Sequence, residues 1–333
     1  MGEFRMTLFI DRFGREHRDL RVSLTDKCNL RCTYCMPSEQ MQWLPSAQLL
    51  TREELLRVVR IAVGAGIDQV RLTGGEPLLH PEIIDIVAGI AAIPNAPSIA
   101  LTTNAVRLAP IAQRLVDAGL QRFNISLDTL DRERFKHLTR RDDLDAVLSG
   151  IAAAKATGIT PIKINAVLMP GINEDEAPAL LQWALDYDLE LRFIEEMPLN
   201  ADHHWSRTNF VSTDAIIATL QERFTLTEQA RDPHSPAFLM QVNGTDRVVG
   251  FISSVSRPFC GGCDRLRLTA DGQFRNCLFA REEHDLRTLL RNGGTDEELL
   301  QQMLESVQAK KAGHGIDNPD FVQPQRSMHA IGG

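Results

Sequence analysis

Residues 19–35 read DLRVSLTDKCNLRCTYC, a β-rich run that leads directly into three cysteines. Cys28, Cys32 and Cys35 follow the spacing C-x3-C-x2-C. Three is an unusual number, because a structural zinc site normally has four protein ligands and disulfides need cysteines in pairs. Three thiolates can hold a 4Fe–4S cluster by three of its irons and leave the fourth iron open. The motif therefore predicts a reactive iron–sulfur site just after the first strand.

The other three cysteines form a second set. Cys260, Cys263 and Cys277 follow the spacing C-x2-C-x13-C, and no cysteine is left over. In a reducing cytoplasm, six cysteines indicate metal binding or chemistry more than disulfides. The same reasoning predicts a second 4Fe–4S cluster here. Zinc stays open as an alternative at either set, if His80 or His284 supplies a fourth ligand from a distant part of the chain.

Composition excludes several classes of partner. The chain has 333 residues, a net charge of −8 and 43% hydrophobic residues, which predicts about two domains, or one large barrel with an extension. An acidic chain is not expected to bind nucleic acid or a membrane surface. No apolar run reaches ~18 residues, and charges interrupt the start, MGEFRMTLFIDRFGREH, where a signal peptide would be apolar. We therefore expect a cytoplasmic protein.

Six β-rich runs alternate with amphipathic helical stretches in the first two thirds of the chain. The runs are 19–24, 69–73, 98–103, 122–127, 162–168 and 189–195. Serial βα units predict a parallel sheet with right-handed crossovers, either an incomplete barrel or a doubly wound sheet.

The pattern changes after about residue 200. Residues 201–209 read as a loop, and 238–254 and 264–279 read as β-hairpins with Asn-Gly and Asp-Gly turns. Two helical stretches follow, at 283–292 and 296–311. The sequence thus predicts a first domain over 1–200 and a C-terminal α+β extension over 201–333.

Side-chain alternation helps to choose between a barrel and a doubly wound sheet. Every second residue of five strands is polar or small, and alternate residues of a strand share a face. These residues are Arg21, Ser23 and Thr25; Arg71, Thr73 and Gly75; Thr102 and Asn104; Asn124, Ser126 and Asp128; and Lys163 and Asn165. A closed eight-stranded barrel is filled mostly by branched apolar side chains. The pattern therefore favours an α/β fold with an incomplete (βα)6 TIM-type barrel, open on one side, with a ligand-filled lumen. The alternative is that these residues merely end their strands.

Two motifs resemble those of a known superfamily. CNLRCTYC is similar to the signature of radical S-adenosylmethionine enzymes, and TGGEP (73–77) is similar to their GGEP motif. CGGCDRLRL, ALTTN, NISLD, IKINAVLMPGIN, LRFIEEMP and the terminal Gly-Gly resemble one subfamily, the GTP 3′,8-cyclase family of molybdenum cofactor biosynthesis (MoaA family). The resemblance extends from about residue 18 to the end of the chain.

The resemblance implies an activity. In this family the open iron of the first cluster binds S-adenosylmethionine, and one electron cleaves the cofactor to a 5′-deoxyadenosyl radical. The radical abstracts hydrogen from ribose C3′ of GTP, whose purine binds the second cluster. Attack on C8 gives (8S)-3′,8-cyclo-7,8-dihydroguanosine 5′-triphosphate, the first step towards molybdopterin. The implied cofactors are two 4Fe–4S clusters and S-adenosylmethionine.

The resemblance also implies roles for individual residues. The S-adenosylmethionine contacts would be Tyr34, Gly75, Ser126 and Met197. The GTP contacts would be Arg21, Arg71, Thr102, Lys163, Arg265, Leu266 and Arg267. Gly332 and Gly333 would form a tail that reaches the active site. No residue is expected to act as the catalyst itself, because the radical forms on the cofactor, and Asp128, Asn165, Arg192 and Glu195 are given no role.

The implied partners are a flavodoxin or ferredoxin as electron donor, the pyranopterin monophosphate synthase that follows in the pathway, and a second copy of the chain in a homodimer. Two alternatives remain at this stage. One is another radical S-adenosylmethionine enzyme with an additional cluster, such as a peptide-modifying maturase. The other is a non-catalytic iron–sulfur sensor.

Overall fold

Six parallel strands form the centre of one sheet in the computed structural model, which describes residues 8–36, 39–199, 205–206, 209–316, 318 and 320–332. These strands are β1 (Asp19–Ser23), β2 (Gln69–Thr73), β3 (Ser98–Thr103), β4 (Arg122–Ser126), β5 (Lys163–Val167) and β6 (Glu190–Ile194). Each lies within one residue of its predicted range at both ends. They are adjacent in chain order, as in a barrel, whereas a doubly wound sheet reverses its order at a switch point. The prediction of a partial barrel is confirmed.

Helices cross over between consecutive strands and pack on the apolar face of the sheet. They are α1 (Arg52–Gly64), α2 (Ile83–Ala91), α3 (Ala112–Asp117), α4 (Arg132–Thr139), α5 (Leu144–Ala156), α6 (Ala177–Asp186) and, after β6, α7 (Thr213–Gln221). In α1, Thr51 and Glu54 form a capping box, which satisfies two backbone donors at the start of the helix. Val22, Val70 and Ile164 are fully buried beneath the helices, so the predicted apolar face is the core. The sequence did not indicate α4 or α7.

The C-terminal part of the chain extends the same sheet at both edges. It adds β7 (Leu226–Glu228), β8 (Phe238–Val242), β9 (Val248–Ile252), β10 (Arg265–Leu268), β11 (Gln273–Arg275) and β12 (His284–Asp285). The strand order is β12-β11-β10-β1-β2-β3-β4-β5-β6-β9-β8-β7. Both predicted hairpins are therefore present, but the sequence did not show that β10 pairs with β1 and β9 with β6, each in parallel. Within the described residues no ladder joins β7 to β12, and the barrel is open.

Three further helices complete the described chain. They are α8 (Leu286–Arg291), α9 (Asp296–Gln308) and α10 (Met328–Ile331). The first two lie inside their predicted ranges, although residues 284–285 pair with β11 as a strand instead of starting the helix. The predicted loop at 201–209 lies mostly outside the described residues. None of the described helices has the length and hydropathy needed to cross a bilayer.

Candidate functional site

The first three cysteines lie in the loop that follows β1, and α4 holds that loop from outside. The backbone N–H of Arg31 donates to Thr139 O (2.9 Å), and that of Thr33 donates to Leu138 O (2.9 Å). The Arg31 guanidinium also donates to Cys28 O at 2.6 Å. Because these contacts fix the backbone on both sides of Cys32, the thiols point inward from a defined loop.

These thiols lie in a poorly solvated and negatively charged environment. Burial raises the pKa of Cys28 to about 11 and that of Cys35 to about 12, and it raises the pKa of Cys32 well above its ordinary value. Glu76 and Asp128 add to these shifts. Thiolate ligands here therefore need a strong positive charge beside them, as an iron–sulfur cluster supplies. The donor set fits that group.

The Gly-Gly pair after β2 is required by close backbone approach to the cysteine loop. Gly75 N donates to Thr25 O at 2.7 Å, and Glu76 N donates to Lys27 O at 2.7 Å. A Cβ on Gly74 (φ 143°) would lie 2.4 Å from Thr25 O, and one on Gly75 would lie 2.4 Å from Lys27 O. Neither position tolerates a side chain, which gives the motif a structural reason in this chain.

Glu76 connects the second strand to the third beneath the cysteines. It is buried and accepts from Leu78 N (3.0 Å), Thr103 Oγ1 (2.6 Å) and Asn104 N (2.7 Å). Asn104 Nδ2 in turn donates to Cys28 Sγ at 3.7 Å. Burial raises the pKa of Glu76 to about 7, although these hydrogen bonds act to lower it. The resemblance to the GGEP motif gave no role to the side chain of Glu76.

A pocket, called the first pocket below, opens beside these cysteines. Its lining includes Tyr34, Gly75, Ser126, Thr102, Met328 and His329 together with all three thiols. Three of the four predicted S-adenosylmethionine contacts thus lie together, and Thr102, predicted as a GTP contact, lies with them. The fourth, Met197, lines a different pocket. These roles stay predictions.

Asp128, to which the sequence gave no role, positions Tyr34. The Tyr34 hydroxyl donates to Asp128 Oδ2 at 2.8 Å, and Val167 N donates to Asp128 Oδ1 at 2.8 Å. Burial raises the pKa of Asp128 to about 6. The carboxylate joins the cysteine loop, β4 and β5, so the ring of Tyr34 has a fixed orientation at the first pocket.

The second set of cysteines flanks the β10–β11 hairpin. Cys260 and Cys263 begin and follow a 3₁₀ turn before β10, and Cys277 follows β11. All three line a second pocket with Met197, Arg265, Arg267 and other residues, namely Ser254, Phe259, Leu278, Phe279 and His314.

Positive charge distinguishes this second set. Burial would raise the pKa of Cys263, but the charges of Arg265 and Lys310 outweigh burial and lower it to about 6. At Cys260 burial outweighs the charge of Arg265, and the pKa is raised. A set of three thiols, one of which is stabilised as a thiolate, fits a second iron–sulfur cluster.

The zinc alternatives receive no support. His80 Nδ1 accepts from Glu82 N at 3.2 Å, and His284 lies in β12. Among the described residues, no three His, Cys, Asp or Glu side chains converge on one metal ion. An iron–sulfur cube binds each thiolate through a different iron, so its ligands need not converge on one point.

A row of arginines runs from the second pocket across the sheet. In the strand register Arg267 of β10 is opposite Arg21 of β1, and Arg21 is opposite Arg71 of β2. Burial lowers the pKa of all three, to about 9 for Arg71. The Nε atoms of Arg21 and Arg71 are buried without a hydrogen-bond partner among the described residues. Buried donors and mutually repelling cations favour a bound anion.

Lys163 and Arg265 are further cations among the predicted GTP contacts. Burial and the charge of Arg192 lower the pKa of Lys163 to about 8, and Arg71 also contributes. Arg265 lines the second pocket. The side chain of Leu266 is fully buried in the core, so only its backbone lies between the two arginines of β10.

The end of the described chain lies between the two pockets. Arg267 Nη1 donates to Gly332 O. A Cβ on Gly332 (φ 88°) would lie 2.6 Å from Ser23 Oγ and 2.7 Å from Thr73 Oγ1. Arg326 anchors this tail through two hydrogen bonds to Asp271, of 3.0 and 2.8 Å. Gly333 lies outside the described residues.

The sequence missed α10 as part of the site. Its Met328 and His329 line the first pocket, and the His329 backbone N–H donates to the Cys35 sulfur. It also missed Lys310, which stands beside Cys263. Neither follows from a local pattern: α10 is four residues long, and Lys310 lies in a polar run, QAKKAGHG, that reads as surface.

Comparisons with known proteins agree with this geometry. Residues 22–184 match the model of the radical SAM superfamily, and residues 189–316 match Molybdenum Cofactor Synthesis C. Curated GTP 3′,8-cyclases of Streptomyces coelicolor and Mycolicibacterium smegmatis are 54% and 52% identical to the chain. The first alignment covers 98% of this chain and 96% of the relative, and the second covers 97% and 91%.

Solved structures of lower identity share the fold. Streptococcus suis SuiB bound to S-adenosylmethionine aligns with a TM-score of 0.56 at 14% identity, over 88% of this chain and 69% of the other. Native anSMEcpe with bound AdoMet aligns with a TM-score of 0.57 at 13% identity, over 91% and 82%. With its nearly full-length cyclase relatives, the chain belongs to the radical SAM superfamily and, within it, to the GTP 3′,8-cyclase family of molybdenum cofactor synthesis.

Proposed function

We propose that this protein is a GTP 3′,8-cyclase, a lyase that converts GTP to (8S)-3′,8-cyclo-7,8-dihydroguanosine 5′-triphosphate. The family relationship supports the activity. One observation in the structure carries it furthest: each of two pockets is lined by three cysteines, and the arginine row of Arg267, Arg21 and Arg71 runs from the second pocket across the sheet.

Two 4Fe–4S clusters and S-adenosylmethionine are the cofactors of the family. Cys28, Cys32 and Cys35 hold the first cluster, and Cys260, Cys263 and Cys277 hold the second. When bound, the first cluster and S-adenosylmethionine supply one-electron hydrogen-abstraction chemistry.

The first pocket binds and orients S-adenosylmethionine. Tyr34 presents its ring in the orientation that Asp128 fixes, and Gly75 allows close approach to its backbone. Ser126 offers a hydroxyl on the same face. Helix α10 covers this pocket with Met328 and His329, which excludes water from the reactive part of the cofactor.

The arginine row binds the triphosphate of GTP. Arginine forms paired hydrogen bonds with phosphate and keeps its charge when buried, so Arg21, Arg71 and Arg267 suit a polyanion. Lys163 adds a cation from β5. Arg265 and the Leu266 backbone hold the nucleotide at the second pocket, while Thr102 contacts it at the first. Gly332 keeps Arg267 directed towards the nucleotide.

We assign Met197 to the S-adenosylmethionine site only by family resemblance, since it lines the second pocket. We also propose a reduced flavodoxin or ferredoxin as electron donor, transfer of the product to pyranopterin monophosphate synthase, a homodimer, and a cytoplasmic location. The family relationship is their support. The division of the chain into parts at residue 200 is likewise a proposal.

Anaerobic reconstitution tests the function. The protein is loaded with iron and sulfide and then given S-adenosylmethionine, a reductant and GTP. We expect 5′-deoxyadenosine together with the cyclised nucleotide, both dependent on GTP. ATP in place of GTP is the matched control. Cleavage of S-adenosylmethionine that GTP does not stimulate, with no cyclised product, would contradict the cyclase and favour a different radical enzyme.

A further inference from the structure

Lys310 is a buried cation beside a cysteine of the second set. It lies two residues after the end of α9 and is 2% exposed, whereas the adjacent Lys311 is exposed. Its Nζ lies 2.8 Å from Arg265 O, 3.4 Å from His17 Nδ1 and 3.6 Å from Cys263 Sγ. A lysine at this depth requires partners for its charge and for each of its three donors.

The N-terminal segment holds Lys310 from the other side. His17 is 1% exposed, and its Nε2 lies 3.1 Å from Asp11 Oδ2. Burial, together with the charge of Lys310, lowers the pKa of His17 to about 4, so the ring is neutral at pH 7. With Nε2–H donating to Asp11, Nδ1 is left as an acceptor for Lys310.

Arg15 ties the same segment to the second set of cysteines. It donates to Asp11 Oδ2 at 2.6 Å and to Cys260 O at 2.7 Å. It also donates to Lys311 O at 2.8 Å, one residue beyond Lys310. The position of the Lys310 amino group relative to the cysteines is thus fixed by backbone as well as side-chain contacts.

The three donors of Lys310 have three acceptors in this arrangement. Arg265 O and His17 Nδ1 take two of them, which directs the third to Cys263 Sγ. A hydrogen bond to a cluster sulfur stabilises the more negative, reduced state of that cluster.

We propose that Lys310 is a positioning residue that raises the reduction potential of the second cluster through its hydrogen bond to Cys263, and that His17 and Asp11 hold its amino group in place. The inference rests on the proposed function, because that function places a cluster at Cys263. It assigns the N-terminal segment a part in the reaction, since this potential sets the oxidation state in which the cluster meets GTP.

The test uses the full chain with Cys28, Cys32 and Cys35 changed to Ser, so that one cluster remains. Iron and sulfide per chain are measured first. A redox titration followed by electron paramagnetic resonance then gives the potential of that cluster in three proteins: this parent, the parent with Lys310→Met, and the parent with Lys311→Met. We expect a more negative potential for Lys310→Met and the parent value for Lys311→Met.

A Lys310→Met protein with full iron content and an unchanged potential overturns the role of Lys310. If that variant loses its cluster, the reduction potential is measured in the parent with His17→Phe instead. This variant keeps Lys310 and removes the acceptor that orients its amino group. A more negative potential in His17→Phe supports the proposal, and the parent value overturns it. A parent without iron would instead contradict the second cluster itself, and with it the proposed function.

Discussion

Each set has three cysteines, but the charges around the two sets differ. Burial dominates at Cys28, Cys32 and Cys35, and the nearby carboxylates raise their pKa values further. At Cys263 the cations Arg265 and Lys310 reverse the effect of burial. Identical ligands in different fields bind clusters of different potential. The surroundings of each set, more than its spacing, fit it to a separate task.

Replacing either set should have the largest effect. Changing Cys260, Cys263 and Cys277 to Ser should keep the first cluster and some cleavage of S-adenosylmethionine, while the cyclised product disappears because the nucleotide loses its cluster. Changing Cys28, Cys32 and Cys35 to Ser should abolish both the cleavage of S-adenosylmethionine and the cyclised product. Iron content, 5′-deoxyadenosine and cyclised product are measured in parallel. Cyclised product from the variant of the second set would show that those cysteines are not required for cyclisation.

Substitution of Arg267 should weaken the binding of GTP and leave the binding of S-adenosylmethionine unchanged. Loss of a hydrogen bond to a charged group is worth about 1.5–3 kcal/mol, so Arg267→Ala should raise the KM for GTP about 10- to 150-fold. Arg247→Ala, an exposed arginine on the β8–β9 turn, is the control. An equal loss of affinity for both ligands would show that the two pockets are not separate binding sites.

The metal-free thiols should react at different rates. At pH 7 Cys263 is mostly thiolate and Cys28 mostly thiol, and thiolate abundance is partly offset by lower nucleophilicity. We expect Cys263 to react with an aromatic disulfide about 50-fold faster than Cys28. Its rate should level off above pH 6, whereas that of Cys28 should keep rising to about pH 11. Peptide mapping by mass spectrometry measures both, and equal rates would contradict the electrostatic difference.

Substitution of Asp128 should have the smallest effect, and it should change only the affinity of the first pocket for S-adenosylmethionine. Asp128→Asn weakens the hydrogen bond that orients Tyr34, so the affinity for S-adenosylmethionine should fall about 5- to 10-fold while that for GTP stays unchanged. Tyr34→Phe removes the same hydrogen bond, and the double variant should therefore be no worse than either single one. Calorimetry of the clustered protein measures the affinities. Additive losses would mean that the two residues act independently.

The sequence predicted what depends on local patterns. Strand positions follow from short apolar runs, and the alternation of Arg21 with Val22 or Arg71 with Leu72 placed the cations on the lumen side and the apolar residues in the core. Each inference needs only the geometry of one strand.

The features that the sequence did not predict depend on contacts between distant parts of the chain. Thr139 supports the cysteine loop from α4, and Lys310 reaches Cys263 across 47 positions. Met197 follows a core strand yet lines the second pocket. No periodicity encodes such pairings, because they arise only when the sheet curves and its two edges receive β9 and β10.

The pairing of β10 with β1 has a consequence for biosynthesis. The proposed ligands of the first cluster leave the ribosome early, but the edge of β1 stays unpaired until Arg265 has been made. At ~5–20 residues per second, that delay lasts roughly 10–50 s. The two metal sites are thus completed one after the other, and the exposed strand edge is the step at which a nascent chain most needs protection from aggregation.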